Sequence, residues 1–329
     1  MRTARRAATL ALVAIFAGGY AFHRVTTPYE GFGGETFVDL ARGTSGFRMA
    51  GLLEEAGVVR TRWDFLLARA LGRARTLQAG EYRFSSAASP LDVARRIARG
   101  DVFYIELVVP EGRNMFEIAA SVESLGLFPA ERFLSAARDP TLIRDLDPRA
   151  PSLEGYLYPD TYRLSRHTTP DRLCRLMTAR FREAWKALAG GARVHDTVTL
   201  ASLVEKETKL PGERAVIAAV FLNRLRLGMK LDCDPSTIYA AQMQKRYWGA
   251  IHKSDLASAH PYNTYQHAGL PPGPIANPGL ASLRAVLAPA ATGALYFVLR
   301  PDGSGRHAFS NHKADHEAAA ARYRRARAR

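Results

Sequence analysis

The sequence predicts an α+β protein that begins with one apolar helix. Three observations support this fold class: an apolar run from Ala7 to Phe22, two pairs of similar segments in the first half of the chain, and alternating helix-like and strand-like patterns in the second half. The 329 residues are 47% hydrophobic and 23% charged, which suits folded globular material in two or three compact units.

Residues 1–24 combine a short basic head with the apolar run and predict a membrane anchor. The run is slightly short for a complete span, but it is longer than most cores of cleaved signal peptides, and it offers only a weak cleavage site. Three arginines precede it, so the positive-inside rule places the N-terminus in the cytoplasm and the rest of the chain outside. A removed export signal is the alternative. Residues 25–33 are predicted to be a linker.

Two segments in the first half of the chain resemble each other. Residues 38–59 align with residues 107–128 at a constant shift of 69 positions. Both have a β-rich lead, a turn glycine, an amphipathic helix pattern with apolar residues three and four apart, and a glycine that ends the helix. Such self-similarity predicts a repeated structural unit.

A second pair of segments extends this repeat. Residues 82–97 and 162–177 each contain a strand-like stretch ending in Tyr-Arg, a polar turn, and a hydroxyl residue followed by proline. The hydroxyl residue suits a helix N-cap, and the proline suits the first helical turn. We therefore predict two related α+β modules at 34–104 and 105–185, with chance similarity as the alternative.

Residues 186–329 are predicted to form a third, mixed α/β domain. It opens with helix-like segments, whereas residues 261–278 are too rich in proline for a helix or a central strand. We predict an ordered loop there, fixed by Asn277 and Pro278, because regular patterns resume after it. The expected later elements are a helix at 282–289, a strand at 294–301, a partner strand at 307–310 across the turn at Asp302 and Gly303, and a terminal helix at 311–329.

The composition narrows the class of ligand. A formal net charge of +15 favours a polyanionic partner without identifying it, and we predict no nucleic-acid partner, since no recognisable nucleic-acid module occurs. Only two cysteines are present, Cys174 and Cys233, which excludes a disulfide framework and leaves open whether they pair. His312 and His316 lie four positions apart, but two ligands without a third do not predict a metal site.

The segment 200–210, "LASLVEKETKL", carries two glutamates two positions apart. On a helix with about 100° per residue, Glu207 falls on the apolar stripe, whereas Glu205 projects almost opposite. An ionised carboxylate on an apolar stripe is costly, so desolvation should raise its pKa towards neutrality. A raised pKa is what a general acid needs, and Glu207 is therefore the candidate catalytic residue.

Two alternatives to this interpretation involve ordinary ion pairs. Glu207 could be buried against an arginine such as Arg214 or Arg224, which would keep it charged, or this edge of the helix could be more exposed than the pattern suggests. Glu205 could form a routine surface pair with Lys209 four positions later.

Several strings in the chain resemble the YceG/MltG-like family of membrane-anchored endolytic murein transglycosylases. The match runs in order over nearly the whole chain after the anchor. The strings are "SLEGYLYPDTYRL", "LASLVEKET", "VFLNRLRLGMKLDCDPSTIYA", "YNTYQHAGLPPGPIANPG", "LYFV" and "HAFSNHKADH".

The resemblance implies a lyase that cuts the MurNAc-β-1,4-GlcNAc bond of nascent peptidoglycan and leaves a 1,6-anhydroMurNAc end, so ending glycan elongation. The catalytic glutamate of the family falls on Glu207, and no metal or cofactor is expected. Candidate substrate-binding residues, each of which would also suit a turn or packing role, are Thr208, Asp234, Ser236, Tyr239, Tyr262, Asn263, Thr264 and Tyr265.

The resemblance further implies that module 34–104 is LysM-like and that 186–329 is the catalytic domain. The expected location is the inner (plasma) membrane, with the catalytic domain on the periplasmic side and peptidoglycan synthases as partners. Two other functions stay open: a non-catalytic peptidoglycan-binding scaffold, and a hydrolytic muramidase that uses Glu207 with Asp232 or Asp234.

Overall fold

The computed structural model describes residues 2–72, 76–188 and 193–327, and the last two residues of the predicted terminal helix lie outside this range. The chain divides into two compact units, Met1–Ile105 and Glu106–Arg329. Among the described residues, the strands form three two-stranded sheets and helices dominate. The predicted α+β class is confirmed.

The first unit contains one sheet, three short helices and the long N-terminal helix. Its elements are α1 (Arg2–Thr26), β1 (Thr36–Leu40), α2 (Gly46–Glu55), α3 (Arg62–Leu71), β2 (Gly80–Phe84) and α4 (Pro90–Arg99). Strands β1 and β2 are antiparallel, with Thr36 opposite Phe84. The core between sheet and helices is formed by large buried side chains, among them Leu40, Leu53, Phe65, Tyr82 and Ile97.

Helix α1 contains one segment that is long and apolar enough to cross a membrane. This segment, Arg5–Thr26, has a mean hydropathy of 1.4, and only 6% of its most apolar window is buried. The end of the helix belongs to the first unit, because Val25 is buried in the core and Tyr29 forms a β-bridge with Ala88. The residues predicted to be a linker thus pack against this unit.

The second unit begins with the same order of elements as the first. These are β3 (Ile105–Val108), α5 (Met115–Ser124), α6 (Ala130–Ala137), β4 (Thr161–Leu164) and α7 (Pro170–Ala187), with β3 paired to β4. The helix N-caps coincide in the aligned segments, since Ser45 caps α2 and Asn114 caps α5. The turn glycines adopt the same left-handed backbone, with φ of +84° at Gly43 and +78° at Gly112.

Eight α-helices and β-strands follow in the described part of the chain. They are α8 (Val194–Glu207), α9 (Arg214–Arg226), α10 (Asp234–Met243), α11 (Lys253–Leu256), α12 (Leu280–Leu287), β5 (Tyr296–Leu299), β6 (His307–Ser310) and α13 (Lys313–Arg327). Strands β5 and β6 are antiparallel, with Tyr296 opposite Ser310. The helix, the hairpin and the terminal helix predicted after the proline-rich loop are confirmed.

Helix α8 lies between the two hydrophobic cores of the second unit. Val198 and Ala201 belong to one core, whereas Leu200, Leu203 and Val204 belong to the other. The helix is therefore buried on more than one face, and the single apolar stripe assumed from the sequence describes only part of it. The helix also ends earlier than the predicted segment 200–210, because Thr208 is already extended, with φ −144° and ψ 141°.

Candidate active site

The end of α8 lies at an open cleft of about 480 Å³. Glu207 is the last residue of the helix, and the chain turns away after it. The residues that line the cleft are Glu111, Gly112, Glu205, Lys206, Glu207, Thr208, Lys209 and Arg214.

The carboxyl group of Glu207 lacks an ion pair anywhere in the described part of the chain. Its Oε1 atom accepts a hydrogen bond from the Sγ atom of Cys233 at 3.0 Å. Burial raises the pKa of Glu207 to about 7; the Cys233 hydrogen bond opposes this shift, and the charge of Asp234 adds to it. A large fraction of this side chain is consequently protonated at neutral pH.

Glu205 has a different environment, although it lies only two residues earlier. Its Oε1 accepts from the Nη2 atom of Arg214 at 3.1 Å, and its Oε2 accepts from the backbone N–H of Gly279 at 2.9 Å. The Glu205 side chain is only 5% exposed. The alternative of a surface pair with Lys209 is therefore wrong, because Glu205 binds Arg214 and the loop at Gly279 instead.

Neither arginine considered as a partner for Glu207 pairs with it. Arg214 binds Glu205 and donates from Nε to the Ser282 hydroxyl at 3.1 Å. Arg224 forms an ion pair with Asp232 at 3.1 Å and donates to backbone carbonyl groups. The alternative in which Glu207 is held in an ion pair is thus excluded by the geometry.

Cys233 is held against Glu207 by a small network of hydroxyl groups. Its backbone N–H donates to the Thr264 Oγ1 atom at 3.0 Å, and the Ser236 hydroxyl donates to its carbonyl oxygen at 2.7 Å. Burial raises the pKa of the Cys233 thiol, so this group stays protonated and can act as a donor. Cys174 lies in the other core, and both cysteines are free.

Three candidate binding residues lie around Glu207, and Thr208 is the buried one among them. Thr208 lines the cleft, and its hydroxyl oxygen accepts from the Leu210 N–H at 3.0 Å. The Tyr265 hydroxyl donates to Asp234 Oδ1 at 2.6 Å, and Asp234 is exposed.

The other five candidates are buried, which fits the packing role that the sequence left open. Ser236 and Thr264 support Cys233, and the Tyr239 ring contacts the Tyr262 ring at a centroid distance of 5.2 Å. The Asn263 amide donates to three backbone carbonyl groups of the preceding loop. A direct contact of these side chains with a ligand stays a prediction.

A buried network that the sequence analysis missed positions one wall of the cleft. Glu154 is 1% exposed, and it accepts from the Met115 N–H and from the Asn277 amide, both at 2.8 Å. The Asn277 side-chain oxygen accepts from two backbone N–H groups, and its carbonyl oxygen accepts from Gly112 at 2.9 Å. This network fixes the proline-rich loop as predicted and holds Gly112 at the cleft.

No sequence pattern around Glu154 indicated its role, because its hydrogen-bond partners lie far from it in the sequence. Asn277 is 123 positions away from it. Burial raises the pKa of Glu154 to about 8, which leaves it largely neutral at pH 7. Among the residues that the structure describes, no group of three or more His, Cys, Asp or Glu side chains is placed to hold a metal ion.

A protonatable carboxyl group at the wall of an open cleft, without a fixed counter-ion, is the arrangement of a general acid catalyst. Comparison with known proteins assigns the chain to a family. The sequence profile of the YceG-like family matches residues 38–322, and the chain belongs to that family.

Named relatives come from two bacterial species. An endolytic murein transglycosylase of Bacillus subtilis (strain 168) is 30% identical over 287 residues, which cover 81% of this chain and 79% of the relative. The endolytic murein transglycosylase of Streptococcus pneumoniae serotype 2 (strain D39 / NCTC 7466) is 28% identical over 313 residues. That match covers 85% of this chain but only 57% of the streptococcal protein.

A solved structure is similar as well. The crystal structure of a putative yceG-like protein from Listeria monocytogenes aligns with a TM-score of 0.55 and 28% sequence identity. The alignment covers 86% of this chain and 98% of the Listeria chain.

Proposed function

We propose that the protein is a lytic transglycosylase that cuts the glycan strands of murein, with Glu207 as its acid catalyst. The observation that carries the proposal is the environment of Glu207, whose carboxyl group lies at an open cleft, lacks an ion pair in the described chain and has a pKa raised to about 7. Relatives named endolytic murein transglycosylases supply the substrate class.

The first chemical step is proton donation. Protonated Glu207 gives its proton to the oxygen that bridges MurNAc and GlcNAc, and the bond between this oxygen and C1 of MurNAc breaks. The positive charge that develops at C1 is stabilised by the acetamido group of the substrate itself. The glutamate is left as a carboxylate, with the Cys233 thiol as a hydrogen-bond donor to it.

The second step restores the acid. The Glu207 carboxylate takes the proton of the muramic 6-hydroxyl group while O6 forms a bond to C1, which closes the 1,6-anhydro ring. One carboxyl group suffices because the nucleophile belongs to the substrate and is already close to C1. A glycoside hydrolase, in contrast, needs a second carboxylate to activate water or to attack the anomeric carbon.

The hydrolytic alternative needs Asp232 or Asp234 as a second catalytic carboxylate, and the contacts of both disfavour it. Asp232 forms an ion pair with Arg224, and Asp234 accepts a hydrogen bond from Tyr265. The scaffold alternative leaves the half-buried Glu207 unexplained, because a binding protein gains nothing from a carboxyl group that is costly to ionise. We assign Thr208, Asp234 and Tyr265 to contacts with the sugar.

Helix α1 is proposed to anchor the protein in the plasma membrane, with its N-terminus in the cytoplasm and the catalytic residues outside. Its length and apolar surface support a span, and the basic residues at its start support this orientation. An enzyme anchored in this way would act on strands near the membrane where they are made, and peptidoglycan synthases are its proposed partners. Cutting there would end the elongation of a strand.

The first module, 34–104, is proposed to be a LysM-like sugar-binding unit, and 105–185 a related copy of it before the catalytic domain, 186–329. The common element order and the matching caps and glycines support the relation between the two copies. The first module would then bind glycan with residues other than those of the cleft, whereas the second also contributes Glu111 and Gly112 to the cleft.

Product analysis tests the proposed function. Uncrosslinked glycan strands are incubated with the full-length protein, with Glu207→Gln, and with Glu183→Gln as a matched control at a side chain that is 68% exposed. Mass spectrometry should find anhydromuramic ends with the wild type and with the control, but not with Glu207→Gln. Reducing ends would instead support a muramidase, and the absence of any product would support a scaffold.

A further inference from the structure

Helix α3 carries an apolar stripe on the side that faces away from the core. Trp63, Leu67 and Leu71 lie four positions apart and are 66%, 36% and 57% exposed. Phe47 of α2 is 51% exposed and packs edge-on against the Trp63 ring, with the centroids 5.9 Å apart. These four side chains, called the α3 stripe below, form the kind of continuous exposed apolar patch that marks an interaction surface.

The α3 stripe is held next to the end of α1. The Nη2 atom of Arg24 donates to Asp64 Oδ2 at 2.6 Å, and the Thr61 hydroxyl donates to the same oxygen at 2.9 Å. Asp64 directly follows Trp63, and on a helix it points about 60° away from the centre of the stripe. The stripe therefore borders the place where α1 joins the unit.

The exposed surface of α1 is apolar up to this junction. Phe16, Tyr20 and Phe22 are 75%, 63% and 65% exposed, and Val25 is buried in the core of the unit. A helix of this kind exposes its side chains to lipid when it spans a bilayer. The junction then lies at the membrane surface, and the fixed contact between Arg24 and Asp64 brings the stripe to that surface too.

The residues around the stripe suit a bilayer interface. Tryptophan is enriched at the boundary between acyl chains and headgroups, where its apolar ring and its N–H group are both satisfied. Arg48 and Arg62 pair with Glu55 and Glu54, whereas Arg42 and Arg60, which lie nearby in the sequence, are exposed. Such arginines attract anionic lipid headgroups.

We propose that the α3 stripe lies in the outer interface of the same bilayer that α1 crosses, so that the first unit rests on the membrane. The proposal depends on α1 being an anchor, but not on the chemistry of Glu207. Two leucines one turn apart offer a sugar no hydrogen-bonding groups, whereas they match the acyl boundary of a bilayer. A glycan ligand for this surface is the competing outcome.

Tryptophan fluorescence tests the proposal on the full-length protein. The chain has three tryptophans, and Trp185→Phe with Trp248→Phe leaves Trp63 as the only emitter. The protein is inserted in vesicles of phosphatidylcholine and phosphatidylglycerol, with and without brominated acyl chains. Trp63 should lose most of its emission in the brominated vesicles and be shielded from iodide in the water. Full iodide quenching without loss to the brominated lipid would overturn the proposal.

Two further variants make each outcome decisive. In a protein whose only tryptophan is introduced by Phe16→Trp, quenching by brominated lipid reports whether α1 is inserted. If this probe is quenched and Trp63 is not, only the stripe is refuted; if neither is quenched, the anchor is refuted with it. Leu67→Glu with Leu71→Glu should restore iodide access to Trp63. Protection of Trp63 by soluble glycan fragments in the absence of lipid would assign the stripe to a sugar instead.

Discussion

The two glutamates at the end of α8 are expected to affect stability in opposite directions. The pKa of Glu207 rises from 4.5 to about 7 on folding, so its ionised form is disfavoured in the native protein. A raised folded pKa gives stability that is present below pH 4.5 and is lost as the pH rises to about 7. At pH 8 the ionised Glu207 therefore lowers the free energy of unfolding of the wild type, and Glu207→Gln avoids this loss.

The magnitude follows from the size of the pKa shift. Each pKa unit corresponds to about 1.4 kcal/mol, which gives an upper limit of about 3.5 kcal/mol for Glu207. Solvent at the open cleft reduces this cost, so we expect Glu207→Gln to gain roughly 1–3 kcal/mol at pH 8. The gain in stability should be close to zero at pH 4.5, because native Glu207 is then mostly protonated and as neutral as the glutamine that replaces it.

Glu205→Gln should have the reverse effect. The Arg214 side chain is only 10% exposed, and without Glu205 the nearest carboxylate is Glu111 at 3.9 Å. Removing one partner of a buried ion pair typically costs about 3–5 kcal/mol. For a unit of this size, 1 kcal/mol corresponds to roughly 2–4 °C in Tm.

Differential scanning calorimetry at pH 4.5 and pH 8 measures both changes. We expect Glu207→Gln to raise the Tm of the second unit by several degrees at pH 8 only, and Glu205→Gln to lower it at that pH. A lower Tm for Glu207→Gln at pH 8, or an equal rise at both pH values, would refute the reasoning about its buried charge.

Three further substitutions test the support of the cleft. Cys233→Ala removes the donor to Glu207, so the pKa of this acid should rise further, and the pH at which cutting declines should move upward; Cys233→Ser should keep the wild-type profile. Asn277→Ala leaves buried N–H groups without acceptors and should cost about 3 kcal/mol or more in urea unfolding. Glu154→Gln should lower the stability at pH 7 by about 1–3 kcal/mol, because both carboxyl oxygens accept from N–H groups and the glutamine NH2 group would face one of these donors. The loss should become smaller above pH 8, where the wild-type carboxyl group becomes charged at a cost.

Local patterns in the sequence were sufficient for much of the fold. The hairpin of β5 and β6 follows from two β-rich stretches around Asp302 and Gly303, and both strands form as predicted. The position of Glu207 was also predictable, because a carboxylate among apolar positions is costly wherever the helix packs. Both patterns are local, since the residues that form them lie close together in the sequence, and the catalytic role of Glu207 stays a prediction.

The environment of Glu205 could not be predicted in this way. A helical wheel assumes one covered face, but α8 packs against two cores, so the opposite face is buried as well. The contacts of both glutamates come from distant segments, since Gly279 is 74 positions from Glu205, and Cys233 is 26 positions from Glu207. Only the tertiary structure separates an ion-paired glutamate from one that can give up a proton.

The pH dependence of bond cleavage tests the role of Glu207 most directly. Anhydromuramic ends are counted in single-turnover reactions of the full-length protein from pH 5 to pH 9, with Glu207→Gln and Glu183→Gln in parallel. The account predicts a plateau on the acid side and a tenfold decline per pH unit above about pH 7 in the wild type and the control, with no cutting by Glu207→Gln. Anhydromuramic ends formed by Glu207→Gln at the wild-type rate and pH profile would contradict it.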